Sequence, residues 1–160
     1  IEHYIKTNEE LDLPTDMPQD LLNQKAGAFV TIFNKSDLRG CIGTFLATQE
    51  NIAQEIIKNA VSACSKDFRF KPITEEELPE LSYEVSLLSE PERIYKKSDL
   101  DPKKYGVIVQ TLDGRCGLLL PELEGIDTVG QQISIAAEKG GIDPAADELI
   151  LFRFTTTKYF

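Results

Sequence analysis

Twice in succession along this chain, a run of strand-forming residues doubles back through a turn and is followed by a helical stripe and then by a further strand. The first set runs from Ala26 to Phe33, turns through Asn34-Lys35-Ser36-Asp37 and returns over Leu38 to Leu46. Ile52, Ala53, Ile56, Ile57, Ala60, Val61 and Cys64 then recur at helical spacing over residues 50 to 64. A strand from Ser82 to Ser89 follows, with Tyr83, Val85 and Leu87 alternating against Glu84, Ser86 and Leu88. The second set runs from Val107 to Leu112, turns at Asp113-Gly114 in a form suited to a type I′ turn, and returns over Arg115 to Leu120. Thr128-Val129-Gly130-Gln131 has the form of a capping box. It opens a helix whose apolar members are Val129, Ile133, Ala136 and Ala137 and which stops at Gly140-Gly141, before a last strand from Leu149 to Phe154. Tight turns make neighbouring strands antiparallel, so the pattern predicts an α+β fold of largely antiparallel sheet with packed helices.

The remaining segments are connections. Ile1, Tyr4 and Ile5 mark a helical turn that begins without methionine, which predicts that residues 1–160 form a single domain, the C-terminal part of a longer chain. Glu9 to Gln19 is an acidic connector carrying Pro14 and Pro18. Thr74-Glu75-Glu76-Glu77 is a second capping-box form, limited to about one turn by Pro79, and residues 90 to 104 read as a polar loop. Both hairpins return through an Asp-x-Arg that leads into a glycine and a cysteine (Asp37-Leu38-Arg39-Gly40-Cys41 and Asp113-Gly114-Arg115-Cys116-Gly117). Either structural duplication or the shared chemistry of hairpins accounts for the likeness.

Composition narrows the function. Twenty-seven acids against seventeen bases give a net charge of −10, with no cluster of bases, so neither nucleic acid nor an anionic membrane is an expected partner. Three unpaired-looking cysteines fit no disulfide framework and no C-x-x-C pair, which points to a reducing, cytoplasmic compartment. The single histidine, His3, reads as a surface residue. With no histidine cluster or converging thiols, no metal site and no cofactor is expected, and neither a G-x-G-x-x-G nor a Walker pattern is present.

Chemistry concentrates in Leu38-Arg39-Gly40-Cys41-Ile42-Gly43-Thr44-Phe45. Strand alternation places Leu38, Gly40, Ile42, Thr44 and Leu46 on one face and Arg39, Cys41, Gly43 and Phe45 on the other, with Leu38 and Ile42 packed beneath a concave surface lined by Arg39 and Cys41. Arg39 is a candidate to hold an anion bidentately and Cys41 a candidate nucleophile, while Gly40 and Gly43 bare the backbone for a ligand or another chain segment. On the competing reading Arg39 pairs with a surface carboxylate, Cys41 is a small core residue and the glycines mark a bulge. Asp67 and Arg69 beyond the first long helix are further candidates for an anion site, anchored by Phe70, and Glu84 is a candidate base or arginine partner. Cys64 and Cys116 read as core residues.

The Leu-Arg-Gly-Cys-Ile-Gly segment resembles the signature of the AMMECR family, whose bacterial branch is the AmmeMemoRadiSam system protein A. Asp67-Phe68-Arg69-Phe70 is similar to the family's Asp-x-Arg-Phe, in which x is often proline. Tyr83-Glu84-Val85-Ser86-Leu87-Leu88-Ser89 and Gly117-Leu118-Leu119-Leu120-Pro121 are similar to two further family segments. The resemblance implies two unequal subdomains around a cleft that holds the signature. It also implies work alongside a Memo-like, dioxygenase-related protein or domain and a radical S-adenosylmethionine enzyme. Two functions are expected as alternatives: an accessory module that binds a small anionic ligand or partner group through Arg39, Gly40, Gly43, Asp67 and Arg69, and a thiol-dependent enzyme using Cys41 with Glu84.

Overall fold

A computed structural model describes residues 1–160. In chain order the elements are α1 (Glu2–Thr7), α2 (Gln19–Asn23), β1 (Ala28–Asn34), β2 (Asp37–Thr44), α3 (Ile52–Ser65), β3 (Leu81–Leu88), β4 (Glu92–Ile94), β5 (Gly106–Gln110), β6 (Cys116–Leu119), α4 (Val129–Lys139), β7 (Ile150–Phe154) and β8 (Thr156–Tyr159), with 3-10 turns at Glu75–Glu80 and Lys97–Asp99. The strands form two four-stranded sheets, ordered β2-β1-β3-β8 and β4-β7-β5-β6. The α+β, antiparallel architecture is the one read from the sequence. The chain divides into two compact units, residues 1–88 with 157–160, and residues 89–156.

In the first unit α3 lies on β1 and β2. Asn51 caps it, its side chain accepting a hydrogen bond from the Gln54 amide at 2.9 Å. Val30 and Ile32 meet Ala60, Ala63 and Cys64 in the core, and Ile1, Tyr4 and Ile5 of the first turns pack against the same cluster. Each fully buried aliphatic side chain of this kind contributes about 1.5–3 kcal/mol. In the second unit α4 lies on β5 and β6, with Val107, Val109, Leu119, Ile133, Ala136 and Ala137 at the centre. The expected capping box is formed, the Thr128 side chain accepting from the Gln131 amide and the Gln131 side chain accepting from the Thr128 amide.

The likeness between the hairpins extends to architecture. In both units the hairpin's second strand is at the sheet edge, the first strand is beside it, the third strand pairs with the first, and the helix joins the second strand to the third. Gly40 of β2 lies against the carbonyl oxygen of Ala63, and Gly117 of β6 against that of Ala136, each so close that a Cβ atom would collide. Beyond each helix the returning arginine pins the chain: Arg39 donates to the Lys71 carbonyl at 3.0 Å, and Arg115 to the Gly141 carbonyl at 2.9 Å.

Several expectations are corrected. The loop at 90–104 contains β4, which pairs with β7, and the C-terminus adds β8; both strands are too short to show a period. The Asp113-Gly114 turn is not type I′: only Gly114 has positive φ, at 90°, and the connection spans Thr111 to Arg115, because the Thr111 hydroxyl and the Asp113 carboxylate bond each other and hold a longer loop. Cys116 and Leu118 are half-buried while Gly117 and Leu119 face the core, since it is Gly117 that the helix backbone approaches. Ser86 and Leu88, on the face of β3 that alternates against Tyr83 and Val85, are buried, so this strand is covered on both sides.

Candidate functional site

Strand β2 carries a bulge. Gly40 stands opposite Ile32 and Leu38 opposite Phe33, so Arg39 is the extra residue. The bulge reverses the expected alternation below it. Leu38 shares the face of Thr31 and Cys41 instead of packing with Ile42, and it is 41% exposed. Gly40 and Gly43 are filled from within the unit, Gly40 by the Ala63 carbonyl and Gly43 by the Phe29 ring, so neither opens onto free space.

Because β2 is an edge strand, the amide and carbonyl of Cys41 point away from β1 and need partners. Asp67 and Arg69 supply them. The Cys41 amide donates to Asp67 Oδ2 at 2.9 Å, and Arg69 Nη2 donates to the Cys41 carbonyl at 3.0 Å. The two side chains also bind each other, Arg69 Nε to Asp67 Oδ1 at 2.9 Å and Nη2 to Oδ2 at 2.7 Å. The pair therefore takes the place that a neighbouring strand would fill. The Asp67 side chain is 2% exposed. Hydrogen bonds from Arg69, with those from the Cys41 and Arg69 amides, outweigh its burial and hold its pKa at about 2. The same carboxylate raises the pKa of Arg69.

Arg39 is engaged with a carboxylate, as on the competing reading. Its Nε and Nη2 donate to the two Glu77 oxygens at 2.7 and 2.9 Å, and this pairing lowers the Glu77 pKa. Glu77 also accepts from the Thr74 amide, completing the capping box read in the sequence. The Phe70 ring lies near both guanidinium groups, 5.9 Å from Arg39 and 5.4 Å from Arg69. Arg39, Cys41, Asp67 and Arg69 are thus brought together along one strand edge.

Glu84 is placed differently. Thr31 stands opposite Cys41 on one side and opposite Glu84 on the other, so the three form a row across the sheet with Thr31 in the middle. Cys41 Sγ lies 3.3 Å from Thr31 Oγ1. Glu84 accepts a hydrogen bond from Ser86 Oγ at 3.4 Å and lies 3.8 Å from Lys158 Nζ. Cys64 is buried and Cys116 half-buried, and burial raises both thiol pKa values. No group of three or more His, Cys, Asp or Glu side chains converges as metal ligands would.

Three residues of importance were not visible in the sequence reading: Thr31, the role of Glu77 as the partner of Arg39, and Glu55. Glu55 of α3 is 1% exposed and accepts from Thr44 Oγ1 (2.5 Å), the Thr48 amide (2.6 Å), Thr48 Oγ1 (2.9 Å) and the Gln49 amide (2.8 Å). Burial pushes its pKa up, but these donors together hold it below the usual carboxylate value. Its signal was a charged residue set within an otherwise apolar stripe.

Against known proteins, the chain matches the AMMECR1 family model over residues 1–159. It is 45% identical over 161 residues to a protein of Thermotoga maritima, covering 99% of this chain and 91% of that one. It is 43% identical over 157 residues to a protein of Clostridium acetobutylicum, covering 98% of this chain but 33% of the longer relative. The crystal structure of an uncharacterized protein from Pyrococcus horikoshii is similar with a TM-score of 0.86 at 31% identity, covering 99% of this chain and 84% of that one. No helix here is long and apolar enough to cross a membrane.

Proposed function

The chain belongs to the AMMECR1 family, and we propose that it is an accessory, substrate-handling domain that binds a small anionic ligand, or an anionic group presented by a partner, at the edge of β2 through Arg69. The observation that supports this reading is the unequal state of the two arginines. Arg39 gives both edges of its guanidinium to Glu77 and Lys71. Arg69 is fixed through Nε and Nη2 by Asp67 and Cys41, whereas its Nη1 donates to no group and its side chain is 44% exposed. A guanidinium held on one side and open on the other accepts a carboxylate or phosphate oxygen with little further loss of rotamer freedom.

In this reading Asp67 orients Arg69, the Arg39–Glu77 pair braces the loop that carries it, and Gly40 and Gly43 allow the close packing that sets Cys41 at the same edge. The partners proposed with it are a Memo-like protein or domain and a radical S-adenosylmethionine enzyme. Its place of action is the cytoplasm, and it needs no cofactor of its own.

A second reading, a thiol-dependent enzyme using Cys41, draws on the Cys41–Thr31–Glu84 row. A thiol nucleophile wants a proton acceptor within hydrogen-bond reach, and the group that touches Sγ is the Thr31 hydroxyl, with Glu84 one strand further away. Glu84 acts on the sulfur in this reading only through Thr31, which ranks it second.

The test is a titration of the 15N-labelled protein with inorganic phosphate and with acetate. The first reading expects shifts centred on Cys41, Arg69 and Phe70, lost in Arg69→Ala and retained in Cys41→Ser. Shifts elsewhere, or equal binding by Arg69→Ala, overturn it, and loss of binding in Cys41→Ser alone favours the thiol.

A further inference from the structure

Phe68 is 94% exposed although both of its neighbours are anchored. Asp67 is clamped to β2, the Arg69 amide donates to Asp67 Oδ1 at 3.2 Å, and the Phe70 amide donates to the Asp67 carbonyl at 3.0 Å, so the backbone from which the ring projects into water is fixed. The knob is also electrically distinct. In a chain of net charge −10, residues 66 to 71 carry three bases, the exposed Lys66, Arg69 and Lys71, against one acid, the buried Asp67.

The opposite character occurs beside the other end of the same helix. A groove of about 570 Å³ has Leu11, Leu13 and Ile57 as apolar lining and Glu10, Asp12 and Glu50 as acidic lining, with Lys58 as the single base, paired to Glu10 at 2.6 Å. Its volume exceeds that of a phenyl ring several-fold, and Leu11 is 48% exposed within it. The groove borders the first half of α3, while Phe68 follows the last turn, so the two surfaces lie apart on one molecule and the exposed ring does not occupy its own groove.

From this complementarity we propose that Phe68 anchors a head-to-tail contact between copies of this chain, its ring seated in the acidic groove beside α3 of the next copy and Lys66 and Lys71 facing Asp12 and Glu50. An aromatic with two side-chain torsions on a fixed backbone loses little entropy on insertion, which favours it as an anchor. The contact joins two different surfaces, so it extends from copy to copy unless a ring closes. It stands whether or not Arg69 binds an anion.

Sedimentation velocity of the purified protein from about 10 µM to about 1 mM tests it, the range in which a small interface associates. The weight-average mass is expected to rise above 17.9 kDa with concentration, and less so at about 0.5 M salt than at about 0.05 M. Phe68→Ser removes the knob, and Leu11→Glu or, separately, Glu50→Lys spoils the groove. All three positions are surface residues, and circular dichroism checks that each variant is folded. Each variant alone is expected to remain at the monomer mass. Phe68→Ser mixed with Leu11→Glu is expected to give a species of twice that mass and nothing larger, because each copy then keeps one working surface. A wild-type protein that stays monomeric throughout, association unchanged in Phe68→Ser or in both groove variants, or a mixture that fails to pair overturns the proposal.

Discussion

The amide of Cys41 donates its hydrogen bond to the carboxylate of Asp67, 2.9 Å away and 26 residues later in the chain. This bond, with the return bond from Arg69 to the Cys41 carbonyl, closes an open sheet edge with side chains where a strand would otherwise be needed. The signature strand and the Asp-x-Arg-Phe loop are in this sense one structural unit.

Removing the carboxylate should therefore be costly. Asp67→Ala leaves the Cys41 amide and an arginine edge without an acceptor, and a loss of about 2–3 kcal/mol in urea unfolding is expected. Arg69→Ala leaves the buried Asp67 carboxylate with only its two amide donors and the Cys41 carbonyl without a donor, so a loss of similar size, about 2–3 kcal/mol, is expected although the arginine itself is 44% exposed. If Asp67→Ala unfolds at the wild-type urea concentration, the edge-closing role is wrong.

The same group predicts a pH dependence. Its folded-state pKa of about 2 lies below the ordinary 3.8, so the stabilisation is complete above about pH 5 and is lost as pH falls through 4 toward 2, with a size of about 2 kcal/mol. Stability of the wild type should fall across this window more steeply than that of Asp67→Asn, whose side chain does not titrate. Glu55 and Glu77, also held below their usual values, contribute to the acid loss in both proteins. Parallel curves for the two proteins between pH 4 and 2 would contradict the assignment.

Glycines at the two helix contacts should both be intolerant, Gly117 the more so because the Gly140 amide also crowds it. Gly40→Ala and Gly117→Ala each drive a methyl group into a helix carbonyl, of Ala63 and of Ala136 respectively, and about 1–3 kcal/mol of destabilisation is expected from each. For a chain of this length that is a fall of several degrees in thermal midpoint. Gly130, in the first turn of α4 with open space where a Cβ would stand, is the control, and Gly130→Ala should raise stability by up to about 1 kcal/mol.

Glu55 should govern the segment between β2 and α3. Glu55→Ala leaves the Thr48 and Gln49 amides and two hydroxyls without their acceptor, an expected loss of about 3 kcal/mol. Amide hydrogen exchange at Thr48 and Gln49 should accelerate more than exchange in β1, and uniform acceleration would mean that the residue supports the core in general.

The fold was legible where its cause was local. The stripe from Ile52 to Cys64, the capping box at Thr128 and Gln131, and the two hairpins all rest on periodicity and turn chemistry within a few residues, and the structure reproduces them with boundary shifts of at most two residues, only the turn at Asp113-Gly114 being of a different type. Short elements such as β4 and β8 were not legible, because three or four residues cannot display a period and their assignment depends on the strand beside them.

The candidate site divides along the same line. From the sequence alone came the set of groups worth watching, Arg39, Cys41, Asp67, Arg69 and Glu84, and the position of β2 as the returning strand of a hairpin. Only the tertiary structure decided how they are used. The extra residue at Arg39 turns Leu38 to the face of Cys41, Glu77 claims the Arg39 guanidinium, Thr31 stands between Cys41 and Glu84, and Asp67 with Arg69 closes the strand edge. The reason is physical. A side chain's identity fixes which bonds it can make, but which partner it meets depends on register, bulge and edge, and these are set by pairings between residues far apart in the chain.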